Sequence, residues 1–322
     1  MSRLTSFLRS LSARARVAGF RAALPASPPE HGWGAAVPPL VSRDFPIVVC
    51  WSPKAGCTTV LKWFLEHNGL LDEAVAHDPW VHGYRASRLC AGEDYRRQCE
   101  RLFGRRSADR FIVKVIRNPD LRAVSGYLHL LRWGHEPAWS AGAAVDRWKR
   151  QVGLRRQRGL SFRQFLGFLS DERRDGRAID PHFRPQFEPL QDPLVHAHVP
   201  LERLSAGVAE LERLFRLRHV DLDRLGGSNH HNPPTDDCGW PDSPATHPAE
   251  WRTVETLGVP APEAFLDPDT LARVREVYRA DHEAYGSVYA APGDAPSAPC
   301  TLRTPTGESV LWNLRPMLRG AA

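Results

Sequence analysis

The stretch Ser52-Pro-Lys-Ala-Gly-Cys-Thr-Thr59 combines residues suited to holding an anion. It lies between an apolar run and a helical pattern, so its last residues open a helix. A helix N-terminus carries unpaired N–H groups and the positive end of the macrodipole. Small residues such as Ala55 and Gly56 let a phosphate or sulfate come close to those groups, and Gly56 permits dihedrals closed to most residues. Lys54 adds a point charge, and Thr58 and Thr59 add hydroxyl donors. Lysine occurs only at Lys54, Lys62, Lys114 and Lys149, which singles out the one placed among small residues. The loop is not a Walker A motif, where lysine follows the second glycine; here it precedes the only glycine. An ordinary strand-to-helix turn could carry the same composition.

A second cluster, Arg117-Asn-Pro-Asp-Leu-Arg122 followed by Ser125-Gly-Tyr127, comes after another apolar run. An arginine at a strand end and a serine two turns into the next helix can meet one phosphate. The guanidinium serves as a bidentate fork and the hydroxyl as a further donor.

The elements that must position these clusters follow from periodicity. Residues 45–51 and 111–117 are short apolar, β-branched runs and read as buried strands. A helix is expected over 58–70, with Val60, Leu61, Phe64 and Leu65 on one face and Gly69 able to stop it. Asn118, Pro119 and Asp120 form a turn and cap before a helix over 121–133. Phe162, Phe165, Leu166 and Leu169 mark a further helix, as do Leu201, Leu204, Val208, Leu211 and Phe215. Residues 194–199 suggest a strand closed by Pro200, residues 223–262 read as loop, and 268–286 as one late helix. Two strand–loop–helix units predict an α/β fold: a parallel sheet flanked by helices, with a P-loop-like phosphate-binding unit. Ligands of such sheets sit beyond the carboxyl ends of the strands, where both clusters fall.

The 322 residues are 42% hydrophobic and 25% charged, enough for one large domain or two small ones. We divide them into an N-terminal extension (1–44), a catalytic domain (45–290) and a Pro-rich C-terminal extension (291–322). The net charge of +6 favours an anionic ligand. No zinc-finger or RNP-type motif supports nucleic acid, and no nucleic-acid partner is expected. The six cysteines form no CxxC pair, so neither a disulfide framework nor a zinc site is expected. No run reaches the roughly 18 apolar residues that span a bilayer. Residues 1–24 alternate apolar and arginine positions at near-helical spacing. The favoured reading is an amphipathic helix packed on the domain; the other is a membrane-surface contact.

Together the two clusters resemble the PAPS-dependent sulfotransferases. The loop 52–59 is similar to that family's 5′-phosphosulfate loop. Ile116-Arg-Asn-Pro-Asp-Leu-Arg-Ala-Val-Ser-Gly-Tyr127 is similar to its 3′-phosphate segment, R-[DE]-P-x-x-R-x-x-S-x-Y, with Asn118 in place of the usual acid. The closest branch is the carbohydrate sulfotransferase group (family 2-like) that includes chondroitin 4-O-, HNK-1 and uronyl 2-O-sulfotransferases. Val81-His-Gly-Tyr84, His182-Phe-Arg-Pro-Gln186, Asn229–Asn232 and Val277-Tyr-Arg-Ala-Asp281 through Tyr285-Gly286 add looser support.

The resemblance implies transfer of a sulfuryl group from PAPS (3′-phosphoadenosine 5′-phosphosulfate) to a hydroxyl-bearing acceptor, a carbohydrate, glycolipid or other small molecule, leaving PAP. Pro53, Lys54, Ala55, Gly56, Cys57, Thr58 and Thr59 would hold the 5′ end, and Arg117 and Ser125 the 3′-phosphate. Lys54 would neutralise the leaving oxygen. His82 matches the position of the catalytic histidine, and His182 is its rival or an acceptor contact. His230 and His231 would approach the donor's 3′ end, although a polar loop explains them as well. Sulfate needs less charge compensation than a phosphate dianion, so the expected site is metal-free. With arginine and alanine bias and no anchor, a bacterial cytoplasmic enzyme is expected. Trp80, Trp133, Trp139 and Trp148 could stack on sugar rings, but packing is the commoner use of tryptophan. Arg155, Arg156 and Arg158 read as a solvated face. The competing functions are a nucleotide-dependent phosphotransferase and a non-catalytic anion- or glycan-binding protein.

Overall fold

The computed structural model describes residues 37–103, 110–136, 139–225, 234–235, 238–240 and 243–289. The amphipathic stretch 1–24, the segment Asn229–Asn232 with His230 and His231, and the extension 291–322 lie outside the described residues.

Among the described residues three strands, β1 (Ile47–Cys50), β2 (Phe111–Ile116) and β3 (Ala197–Pro200), form a parallel sheet in the order β1-β2-β3. Ile47 stands opposite Phe111, and Val113 opposite Ala197. Every residue of β1 and β2 is buried. Such unbroken apolar runs suit a sheet covered on both faces. The longer helices among the described residues are α1 (Cys57–His67), α2 (Leu71–His77), α3 (Glu93–Phe103), α4 (Pro119–Trp133), α5 (Ser140–Gln151), α6 (Phe162–Arg174), α7 (Leu204–Leu214), α8 (Trp251–Leu257), α9 (Pro268–Val277) and α10 (Arg279–Tyr289).

Successive strand residues serve opposite cores, as the two-residue period requires. Ile47, Val49, Val113, Val115, Ala197 and Val199 pack with α1 and α7. Val48, Cys50 and Ile112 meet Tyr95, Cys99 and Leu102 of α3. Burial among these raises the Cys50 thiol to about 12, so it stays a neutral core group. A second core gathers α4, α5, α6 and α9 around Tyr127, Phe162, Phe165 and Tyr278. Leu40 is fully buried and bridges Val49 in antiparallel sense, so the chain packs on the sheet before β1 begins.

Three expectations change in detail. The helix expected from residue 121 starts at Pro119, because Asn118 caps it: its side chain accepts from the amides of Asp120 (2.9 Å) and Leu121 (3.3 Å). The expected loop 223–262 contains α8, started by a reciprocal cap between Glu250 and Thr253. The single late helix is two, broken at Tyr278, whose hydroxyl donates to the Phe183 carbonyl at 3.0 Å.

Candidate active site

The loop between β1 and α1 is tight because two of its residues are left-handed, Lys54 (φ 70°) and Gly56 (φ 73°). A Cβ on Gly56 would fall 2.5 Å from the tip of the Leu201 side chain, which would have to shift; the left-handed conformation is the stronger reason for glycine. Gly56 is the N-cap of α1 and no side chain caps the helix. The amides of Cys57, Thr58 and Thr59 therefore have no partner within the helix. The Ala55 amide differs: it donates to the Ser52 carbonyl at 3.2 Å, and the Ala55 side chain is buried. Ala55 thus closes the turn, while the uncapped amides of the helix start lie beyond it. Burial pushes the Lys54 ammonium down to about 8; the nearby Cys57 opposes this, and Arg117, Arg122 and Arg132 add to it.

The second cluster lies directly against this loop. Arg117 Nη1 donates to the Lys54 carbonyl (3.2 Å), and Arg122 Nε donates to the Pro53 carbonyl (3.0 Å). Burial lowers the Arg117 pKa, Glu202 opposes the shift, and Arg122 adds to it. Arg122 is 1% exposed; its Nη1 donates to the Arg184 carbonyl at 2.7 Å, and its buried Nη2 has no hydrogen-bond partner. An orphaned guanidinium N–H beside a helix N-terminus fits an anion that supplies the missing acceptor. Ser125 is half-buried on α4, two turns beyond Asn118. The next residue, Gly126, leaves room for Phe183 and the His182 carbonyl, to which a Cβ would come within 3.4 and 3.5 Å.

His82 opens a one-turn helix, His82–Tyr84, and is 8% exposed. Its Nε2 lies 3.3 Å from Thr58 Oγ1, within hydrogen-bond distance. The ring also packs at 5.6 Å from Trp51 and 5.4 Å from Trp80. One of the two candidate histidines therefore touches the loop 52–59. The other is held elsewhere. His182 Nδ1 lies 2.7 Å from Asp180 Oδ1, and the ring sits 4.4 Å from His129 and 5.8 Å from Trp139. Burial works to raise the Asp180 carboxyl, but hydrogen bonds from His182 and Trp139 hold it below its ordinary value.

The model of the sulfotransferase family matches residues 39–290, most of the chain. The chain belongs to the sulfotransferase family. It is accordingly an enzyme that transfers a sulfuryl group, with PAPS as the donor that membership implies and a hydroxyl-bearing acceptor. No curated protein and no solved structure compared with it matches. No helix among the described residues is long and apolar enough to cross a membrane.

Three residues of this sulfotransferase do structural work that its motifs did not announce. Gln186, 1% exposed, pairs with both backbone groups of Arg117: the Arg117 amide donates to Oε1 and Nε2 donates to the Arg117 carbonyl, each at 2.8 Å. Ser52 Oγ donates to the same Oε1 at 3.3 Å, so one amide side chain ties the two loops together. Asp281 accepts from the amides of Gln186 (2.9 Å) and Phe187 (2.8 Å). Lys114, fully buried in β2, donates to the Gln186 carbonyl (2.7 Å) and to Asp192 (2.5 Å). The looser motifs at 182–186 and 277–286 are thus the clamp that holds the loops. A polar residue inside an apolar strand, Lys114 in 111–117, was the available signal.

A cavity of about 640 Å³ is lined by Leu130, Gly134, Lys149, Glu250 and Trp251 at the far end of α4 from Arg117. It does not coincide with the two loops; beside Ser52 and Gln186 a crevice of about 20 Å³ opens. Trp148 is buried core, and Arg155, Arg156 and Arg158 are exposed.

Proposed function

We propose that the enzyme transfers the sulfuryl group of PAPS in line to a hydroxyl of a carbohydrate, glycolipid or other small acceptor, with His82 as general base. One observation carries this reading: the contact of His82 with Thr58 brings an imidazole to the first turn of the helix whose amides face the donor loop. The amides of Gly56 to Thr59 and the Thr58 and Thr59 hydroxyls hold the 5′-phosphosulfate. Pro53, Ala55 and Cys57 shape the turn. Arg117 and Ser125 hold the 3′-phosphate. His82 Nε2, the nitrogen on the donor side, takes the acceptor proton as its oxygen attacks sulfur. Lys54 neutralises charge on the bridging oxygen as the S–O bond to PAP breaks. His182, held by Asp180 beside α4, is read as an acceptor contact.

Transfer of label from PAPS to hydroxyl acceptors, read by mass spectrometry, tests the reading. The charges on Lys54 and Arg117 suffice for a sulfuryl group, and turnover is expected to survive EDTA. Turnover that collapses with chelator and returns with magnesium, using ATP in place of PAPS, would move the assignment to phosphoryl transfer.

The Lys54 shift gives a pH profile. Its pKa in the free protein is lowered to about 8, so the ammonium is present below that pH and lost above it. Bound phosphosulfate favours the charged form and raises the pKa again. The expected result is a kcat/KM for PAPS that falls as pH rises through about 8, while kcat at saturating PAPS holds to higher pH. A kcat/KM that stays level to roughly pH 9.5 would remove Lys54 from donor binding.

A further inference from the structure

We propose that Trp80 is the acceptor platform: an open indole on which the apolar face of a pyranose ring stacks, bringing one ring hydroxyl to His82. The inference rests on the donor and base assignments above and adds the residue that selects among the acceptors. Trp80 is 56% exposed, whereas Trp51, Trp63 and Trp148 are 5% exposed or less. Packing explains those three and leaves Trp80, with more than half its surface in water, unexplained. Its position is not that of a scattered surface residue. Its ring lies 5.4 Å from that of His82, whose Nε2 is 3.3 Å from Thr58. An indole, an imidazole and the donor loop therefore follow one another from solvent inward.

The turn that carries Trp80 is built to hold it. The Trp80 amide donates to Asp78 Oδ1 at 2.8 Å, and the Gly83 amide donates to the Trp80 carbonyl at 2.7 Å. A Cβ on Gly83 would lie 2.0 Å from Asp78 Oδ2, so a larger residue there would displace the carboxylate that holds the turn. The chemistry selects the ligand. An aromatic face attracts C–H groups, and tryptophan offers the largest one. A wholly apolar acceptor needs apolar walls; here the indole has the His82 imidazole beside it, and the Asp78 carboxylate is bound to the Trp80 backbone amide. A ring with one apolar face and a rim of hydroxyls matches that surface.

The test uses the full chain with PAPS and methyl glycosides of galactose, glucose and N-acetylglucosamine, with n-butanol and phenol as comparison acceptors. Wild type is expected to favour pyranosides over butanol. Trp80→Ala is expected to raise the pyranoside KM by about tenfold and erase that preference, with kcat and the Kd for PAP retained. Trp80→Phe is expected to keep most of it. An unchanged KM in Trp80→Ala, or phenol preferred over every pyranoside, overturns the platform alone. So does an absence of both transfer and pyranoside binding, followed by NMR, in protein that binds PAP. Wild type that fails to bind PAP overturns the donor reading, and the platform with it.

Discussion

Replacing His82 by alanine is expected to lower kcat by about a hundredfold or more while the Kd for PAP stays within about twofold. The two readouts separate because the imidazole meets one proposed donor ligand, the Thr58 hydroxyl, whereas most of the donor's hold is assigned to the loop amides, the Thr59 hydroxyl, Lys54, Arg117 and Ser125. A general base acts when the acceptor oxygen gives up its proton, so its removal raises the barrier of that step and leaves the nucleotide in place. The ring packs against Trp51 and is 8% exposed, so alanine also opens a small cavity. His82→Gln fills that space without supplying a base near neutral pH. The same loss of kcat in both variants assigns the effect to proton transfer, and recovery in glutamine assigns it to packing. His182→Ala is expected to act on the acceptor KM, since that ring is turned to Asp180 and His129. Single-turnover rates decide between them. If His82→Ala transfers at the wild-type rate and His182→Ala does not, the base is His182.

The sheet was legible because its strands are buried on both faces and read as unbroken β-branched runs. The strand-to-helix junction at 52–59 was legible for a similar reason: a lone lysine, a glycine and two threonines there are unusual together. The left-handed Lys54 was not legible, since a non-glycine residue in that region carries no local signature. Nor was the clamp. Gln186 reaches Arg117 and Ser52 from 69 and 134 residues away, and Asp281 reaches Gln186 from 95. Hydrogen bonds across such separations leave no periodicity, so the motifs at 182–186 and 277–286 could be recognised as resemblance but not as mechanics. α3 and α5 escaped notice because charged and small residues dominate them, and only a narrow stripe of each is buried. The break at Tyr278 escaped because the apolar spacing of α9 leads smoothly into α10; the backbone leaves helical dihedrals at Tyr278 (φ −108°, ψ 32°) with no glycine or proline to mark it.

Arg117→Ala is expected to weaken PAP about 10- to 150-fold, the range for losing a charge-assisted hydrogen bond of about 1.5–3 kcal/mol. Adenosine 5′-phosphate, which lacks the 3′-phosphate, is expected to lose no more than about threefold. The comparison is needed because Arg117 has two jobs. Its Nη1 donates to the Lys54 carbonyl, so alanine also releases a tie on the 5′ loop, and that damage falls on both ligands alike. Its backbone, by contrast, stays held by Gln186 in the variant, since both of those bonds use main-chain groups. The β2–α4 junction should therefore keep its course, and the two affinities read the side chain. The difference between the two losses measures the 3′-phosphate contact, and the loss they share measures the loop tie. Arg117→Lys keeps the charge but not the fork, and is expected to recover only part of the PAP affinity. Calorimetry that finds equal losses for PAP and adenosine 5′-phosphate would remove Arg117 from the 3′-phosphate site. The guanidinium would then be a brace for the Lys54 turn.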